Sequence, residues 1–457
     1  MKILPPVRSF IVKRLSAPRI FILSFASAIM TGAFALWLPF SSSGVRLSFV
    51  DALFTSASAV CVTGLAVIDI GKDLTFTGQI ITLILLQLGG LGIITFSVVL
   101  FSLMGRGISF KGREIVQATF LHTPRRDFFI VAKSVLLLTA LFESLGVAIL
   151  FFRFSWDYPW RRALYLAIYH AVSAFNNCGY SLFSNNLVDY QGDTIVNLTI
   201  MVLIILGGIG FIVQYEVISR LRGFEKRLSV HTKIVLLTTF LLIAGGAFFF
   251  YLLEMGHVLK DMPVKTQILT SLFQSITPRT CGFNTVDIGL LTNPTILMMI
   301  VLMFIGASPG STGGGIKTTS FALLLMIIWG RLRGSEDVNI FYRTIPKEIL
   351  TRTIAIIFAS AFSVCLITSV LLLLSVGESL PPLESRHFFV EYLFETVSAF
   401  GTVGLSMGIT PKLSDLQKLA ITFMMFAGRV GPLTLAFSWH PRTKAEIVYA
   451  EESVMVG

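Results

Sequence analysis

SASAVCVTGL (56–65), AVSAFNNCGY (171–180), FQSITPRTCGF (273–283) and TVSAFGTVGL (396–405) are four versions of one segment. Aligned on Gly64, Gly179, Gly282 and Gly404, they carry Phe54, Tyr169, Leu272 or Phe394 ten residues back. Six and five back stand Ser58-Ala59, Ser173-Ala174, Ile276-Thr277 and Ser398-Ala399, and one after comes Leu65, Tyr180, Phe283 or Leu405. The glycines are 115, 103 and 122 residues apart. A fourfold internal repeat in one chain is the layout of a pseudo-tetrameric pore, and it locates the site before any fold is assumed.

The chain around these segments is apolar. Its 457 residues are 54% hydrophobic and 13% charged, with a mean hydropathy of +0.81. Soluble domains carry about 25% charged residues, so the composition reads as a polytopic membrane protein. The stretches 20–45, 74–105, 194–215, 234–253, 288–316 and 353–377 hold no charge. A further two hold one each, 134–152 with Glu143 and 419–441 with Arg429. A crossing needs roughly 20 helical residues, so the expectation is an all-α fold with eight crossings, two per repeat. The repeats are expected at 17–104 (helices 18–40 and 78–104), 128–220, 230–331 and 350–440, followed by a tail at 441–457. The N-terminus reads as the basic flank of the first crossing, because 20–45 is too long for a signal-peptide core.

The net charge of +11 is distributed as topology. The N-terminus, 105–133, 216–233, 317–352 and the tail together hold 24 Lys+Arg against 10 Asp+Glu, and the opposite loops hold 11 against 14. This bias places both termini in the cytoplasm and argues against a nucleic-acid partner. The basic connectors 105–117, 220–233 and 331–348 remain available to a docking protein.

The stretch before each repeated glycine is too short to cross and fits a half-helix that dips in and returns extended. Such a half-helix points the negative end of its dipole at the membrane centre, which favours a cation there. Carbonyls of the extended return can then replace a cation's water shell. The candidate lining residues are Cys61, Val62, Thr63 and Gly64; Asn176, Asn177, Cys178 and Gly179; Arg279, Thr280, Cys281 and Gly282; and Gly401, Thr402, Val403 and Gly404. A lone segment of this kind would read as an ordinary extracellular turn, but four in register between spans do not. The four cysteines have no C-x-x-C pairing or metal-ligand spacing and read as small packing residues. Arg279 is expected to point behind the ring, toward an acid or carbonyl.

Within the sixth span, FIGASPGSTGGGIKTTS (304–320) packs Gly306, Gly310, Gly313, Gly314 and Gly315 among Ser308, Pro309, Ser311 and Thr312. That density disfavours helix, and a polar loop at membrane depth must line a cavity. It is expected to sit just inside the ring as a gate, with Lys317 at its end. A phosphate-binding loop is the nearest decoy, but Ile316 stands where its lysine belongs and no strand precedes it. Arg429, in FAGRVGPLTL (426–435), is costly inside a span and is expected to set an electrostatic barrier or anchor the loop, with snorkelling as the plainer reading. Glu143 reads as a structural contact, and Gln87-Leu88-Gly89-Gly90 and Leu206-Gly207-Gly208 as close-packing sites with hinging secondary.

These residues resemble the potassium-translocating subunits of the Trk/Ktr/HKT superfamily over essentially the whole chain. The resemblance is carried by VTGL (62–65), SAFNNCGYSLF (173–183), ITPRTCGFNTVD (276–287), GASPGSTGGGIKTT (306–319), SAFGTVGLSMGIT (398–410) and AGRVGP (427–432). It implies a potassium filter at Val62, Thr63, Gly64, Asn177, Cys178, Gly179, Thr280, Cys281, Gly282, Thr402, Val403 and Gly404. It also implies an intramembrane gate over Gly306–Lys317 with Arg429 in the pathway. Glycine at 64, where sodium-permeable plant relatives carry serine, implies potassium preference. The lack of an extra N-terminal helix pair makes the chain similar to the bacterial Ktr type. That type is a homodimer in the inner membrane, with one pore per protomer and a separate cytoplasmic ring that binds nucleotides. No cofactor is implied, only potassium as the transported ion, with sodium admitted as a co-ion. The runner-up is a secondary transporter coupling sodium or protons to a solute, which favours broken helices in paired repeats and ionisable groups at mid-membrane. An embedded enzyme is rejected: of six histidines only His170 falls in a half-helix, and it has no partner for catalysis.

Overall fold

The structure is a computed structural model describing residues 17–44, 46–92, 128–224, 227–335, 337–375 and 382–431. The end of the helix expected at 78–104, the connector 105–117, the stretch 432–440 and the tail 441–457 lie outside the described residues.

Three kinds of helix recur in order. Long outer helices are α1 (Ala17–Trp37), α4 (Phe128–Phe154), α8 (Val230–Glu254) and α12 (Lys347–Ser375). Each is followed by a helix running to a repeated segment: α2 (Phe49–Val60), α5 (Trp160–Phe175), α9 (Val264–Ile276) and α13 (Pro382–Gly401). Then come α3 (Phe76–Gly90), α6 (Thr194–Gly208), α10 (Asn293–Phe304) and α14 (Asp415–Val430). Two further helices, α7 (Phe211–Leu221) and α11 (Thr318–Leu332), continue α6 and α10 beyond breaks.

Local chemistry sets the starts. Ser48, Thr75, Asp193, Ser229 and Ser414 cap α2, α3, α6, α8 and α14 by accepting from the third backbone N–H onward. Pro159 and Pro263 stand just before α5 and α9, where a missing N–H costs nothing. With 12 residues, α2 is about 18 Å long and cannot cross a hydrocarbon core of about 30 Å.

Packing runs in a closed sequence. Each short helix contacts its own outer helix, α2 on α1, α5 on α4, α9 on α8 and α13 on α12. It also contacts the third helix of the preceding quarter: α5 on α3, α9 on α6, α13 on α10, and α2 back on α14. Among the described residues the two larger apolar cores lie around Phe54, Leu86, Phe394 and Met424 and around Phe175, Ile200 and Phe273.

Among the described residues, three helices are long and apolar enough to cross a membrane: Lys133–Phe154, Val230–Glu254 and Lys347–Ser375. A fourth candidate is the pair Thr194–Gly208 and Phe211–Leu221, bent by 103°. Here the expectation of an unbroken span over 194–215 is corrected. Gly210 takes φ 92°, closed to residues with a side chain, and the chain turns there. Of the other expected crossings, where described, 20–45, 74–105 and 288–316 hold the shorter apolar helices α1, α3 and α10, and 419–441 holds the end of α14.

The break between α10 and α11 spans 305–317 and is closed by a parallel bridge between Ile305 and Ile316. Beyond α11, in the basic connector 331–348, a two-stranded hairpin forms: β1 (Asn339–Ile340) and β2 (Arg343–Thr344). Its turn residues Phe341 and Tyr342 both hold positive φ.

Candidate ion pathway

The four repeated segments meet. A Cβ built on Gly64 would overlap the Cys178 carbonyl oxygen, one on Gly179 that of Cys281, one on Gly282 that of Val403, and one on Gly404 that of Thr63. Each glycine thus abuts the carbonyl just before the next quarter's glycine, and the sequence closes on itself. The glycines hold φ of 90°, 78°, 83° and 94°. Two residues earlier, Val62, Asn177, Thr280 and Thr402 also hold positive φ, at 57°, 59°, 74° and 50°, while the residue between is at negative φ. Three of these four are β-branched, for which left-handed backbone is a strained state costing about 1–3 kcal/mol. Alternation of hand turns successive carbonyls to one side, which a pleated strand does not do.

Amides of the segments are committed backwards. Thr63 N donates to Ser58 O (2.8 Å), Cys178 N to Ser173 O (2.9 Å), Cys281 N to Thr277 O (3.0 Å) and Val403 N to Ser398 O (2.8 Å). The N–H groups of Gly64 and Gly404 donate to the Ser58 and Ser398 hydroxyls. Among the described residues, no donor reaches the carbonyls of Val62, Thr63, Gly64 or their counterparts in the other quarters. The ring therefore presents oxygens whose partner must be something other than protein. A cavity of about 450 Å³ opens above it, with Gly64, Gly282 and Gly404 in its wall beside Asn284 and Asp287.

Below the ring lies the Gly-rich loop, held by the second break. Ser308 N donates to Gly208 O (3.0 Å), Thr312 N to Gly207 O (3.2 Å), and Phe211 N to Gly310 O (2.9 Å). The orphan carbonyls ending α6 and the orphan amide starting α7 find their partners in the loop. Sequence reading gave Gly207-Gly208 a packing role with hinging secondary and missed this pairing, although Gly210 two residues on was a signal. The loop also touches the left-handed residues. Gly314 N donates to Thr402 Oγ1 (2.9 Å), and a Cβ on Gly313 would overlap Thr280 Oγ1. Turned so that its oxygen accepts from Gly208 N and Thr312 Oγ1, the Asn177 amide donates to Ile204 O and Ala174 O.

Arg429 is buried and donates to Thr312 O on the loop and to Gly89 O and Gly90 O at the end of α3. Lys317 Nζ donates to Gly313 O (2.8 Å) and reaches Gly314 O (3.5 Å). Gly306 and Gly315 pack backbone to backbone, and Ser311 Oγ donates to Ser308 O. Arg279 is buried and points behind the ring, but its partner is the Thr239 hydroxyl on α8 (3.4 Å) rather than the expected acid or carbonyl. Cys61, Cys178 and Cys281 are free and buried, while Cys365 is exposed. His170 is bound between Leu166 O and Ser181 Oγ and stacks on Phe183, a structural role. The left-handed residues two before each glycine were not singled out for their conformation, because valine and threonine give no signal of it and only Asn177 is a residue type that favours it.

The family model for cation transport proteins, TrkH, matches residues 19–446. The Ktr system potassium uptake protein B of Bacillus subtilis (strain 168) is 39% identical over 446 residues, 97% of each chain. Its namesake in Vibrio alginolyticus is 38% identical, covering 96% of this chain and 95% of that one. The potassium/sodium uptake protein NtpJ of Enterococcus hirae is 34% identical over 97% of this chain and 98% of that one. The crystal structure of the potassium transporter TrkH from Vibrio parahaemolyticus superposes with a TM-score of 0.69 at 19% identity, covering 94% of this chain and 86% of that one, so the fold is shared. With a family model across nearly its whole length and relatives at this identity, the chain belongs to the TrkH family of cation transport proteins, a family of ion transporters and not of enzymes.

Proposed function

We propose that the chain takes up potassium through a pore at the centre of four tandem helix–pore loop–helix repeats. In this reading the ring at Gly64, Gly179, Gly282 and Gly404 is the selectivity filter. The observation that carries it is the closed succession of left-handed glycines whose neighbouring carbonyls have no donor among the described residues. Such oxygens replace a dehydrated cation's water, and the C-terminal ends of α2, α5, α9 and α13 add negative potential beneath it. The loop 306–315, with Lys317 and Arg429, is the gate: its two cations stand between the ring and the cytoplasm. The potassium named in the relatives' titles supports the choice of ion, and the sodium in one of them supports sodium as a co-ion.

The protein works as a homodimer in the bacterial inner membrane, with both termini cytoplasmic. A nucleotide-binding cytoplasmic partner docks on the basic connectors and the tail. The word "system" in the relatives' names supports a partner of this kind.

A second reading, transport of a solute coupled to sodium or protons, gains from the second helix break and from the buried carboxylates Glu254 and Glu395. Both carboxylates, however, accept from hydroxyls, those of Thr292 and Thr410, as capping and bracing groups do.

Flux into liposomes at fixed potential separates the two. Wild type is expected to pass potassium over sodium, Gly64→Ser to relax that preference, and deletion of 308–313 to raise flux. No potassium flux in folded wild type and deletion alike would sink the pore and restore the coupled transporter.

A further inference from the structure

Glu143 stands in the outer helix α4, half-buried at a depth where a carboxylate needs a reason. Its partners are polar side chains of two other elements. The Asn176 amide nitrogen donates to Glu143 Oε1 (3.0 Å), to Gln87 Oε1 (2.7 Å) and to Val172 O (2.9 Å). Gln87 Nε2 in turn faces Glu143 Oε2 (3.4 Å). Asn176 is fully buried and caps α5, immediately before left-handed Asn177 and the ring residues Cys178 and Gly179. Its own Oδ1 is buried without a partner among the described residues and sits where a Cβ of Gly90 would be.

The other side of the same turn of α3 is occupied. Gly89 and Gly90 give their carbonyls to Arg429, which also holds Thr312 of the loop. The last turn of α3 is therefore clamped between a carboxylate reached through Gln87 and a guanidinium reached through backbone oxygens. Asn176 faces outward to that clamp, and its neighbour Asn177 faces inward to Thr312. An amide with two hydrogens and three acceptors is fixed in orientation, so the backbone that follows it is fixed too.

We infer that Glu143, Gln87 and Asn176 form a positioning brace for the second quarter of the ring, and that this brace sharpens ion discrimination without touching the ion. The inference rests on the filter reading above. Its mechanism is hydrogen bonding, so an acceptor in place of the carboxylate suffices.

The test measures the potassium-to-sodium flux ratio of the full chain in liposomes, beside its thermal midpoint. Glu143→Gln keeps an oxygen for the Asn176 amide and is expected to retain the wild-type ratio. Glu143→Leu removes both acceptors at similar volume and is expected to lower the ratio about three- to tenfold, the effect of losing one ordinary buried hydrogen bond. Potassium flux itself is expected to persist. Gln87→Met gives a second cut of the brace should Glu143→Leu fail to fold, with the same expected fall. A wild-type ratio in Glu143→Leu or Gln87→Met overturns the brace. So does an equal fall in Glu143→Gln, which would assign the effect to charge instead of position. Absence of potassium selectivity in wild type would instead strike the filter reading itself.

Discussion

Gly404 is held at φ 94° with the Thr63 carbonyl where its side chain would be, so any larger residue must displace an oxygen of the neighbouring quarter. Gly404→Ala is expected to cut potassium flux about tenfold or more, in line with about 1–3 kcal/mol of overpacking and left-handed strain. Rubidium uptake into liposomes checks it, and wild-type uptake by the variant would remove position 404 from the pathway. At this scale the sequence was most legible where chemistry admits a single residue: only glycine tolerates the close approach, so four glycines advertised the ring. It was least legible at Val62, Thr280 and Thr402, whose left-handed backbone runs against their residue type and is imposed by the surrounding fold. The contacts of Arg429 were equally hidden, since backbone carbonyls at Gly89 and Thr312 have no signature in residue names.

Among the elements, the loop 305–317 is the least self-sufficient. Its backbone borrows partners from the α6–α7 break, from Thr402 and from Arg429. Arg429→Met leaves Thr312 O and Gly89 O without their donor, at about 1–3 kcal/mol for the unpaired groups. The variant is expected to pass potassium severalfold faster than wild type and to melt earlier, read by flux and by tryptophan fluorescence. Slower flux would show that the arginine supports the open pathway and does not latch a closed one. The break at 305–317 could be read from glycine density, because five glycines and a proline within ten residues cannot sustain helix. Gly207, Gly208 and Gly210 did not by themselves place the α6–α7 break, since such residues also serve close packing, as Gly207 does against Phe175 O.

For the whole molecule, the positive-inside bias predicts sidedness. On a Cys365→Ser background, Asn185→Cys is expected to react with a membrane-impermeant maleimide added outside intact cells, and Ser335→Cys only after lysis. Both side chains are exposed. The reverse pattern would invert the orientation. Broad architecture was read from the chain because repeats, charge bias and apolar runs are sums over many residues, which single exceptions do not disturb. The hairpin at 339–344 escaped because its turn uses Phe341 and Tyr342 at positive φ, where asparagine or glycine would have signalled it.

The closure of four unequal quarters within one polypeptide has an evolutionary consequence. In an assembly of four identical subunits, any substitution is written four times, and an inserted barrier must be carried in quadruplicate or not at all. Here each quarter mutates alone, answerable only to the neighbour whose carbonyl it touches. Thus 13 residues separate α10 from α11 where two separate α6 from α7, and in the pore reading proposed above such asymmetry is a heritable trait of the axis.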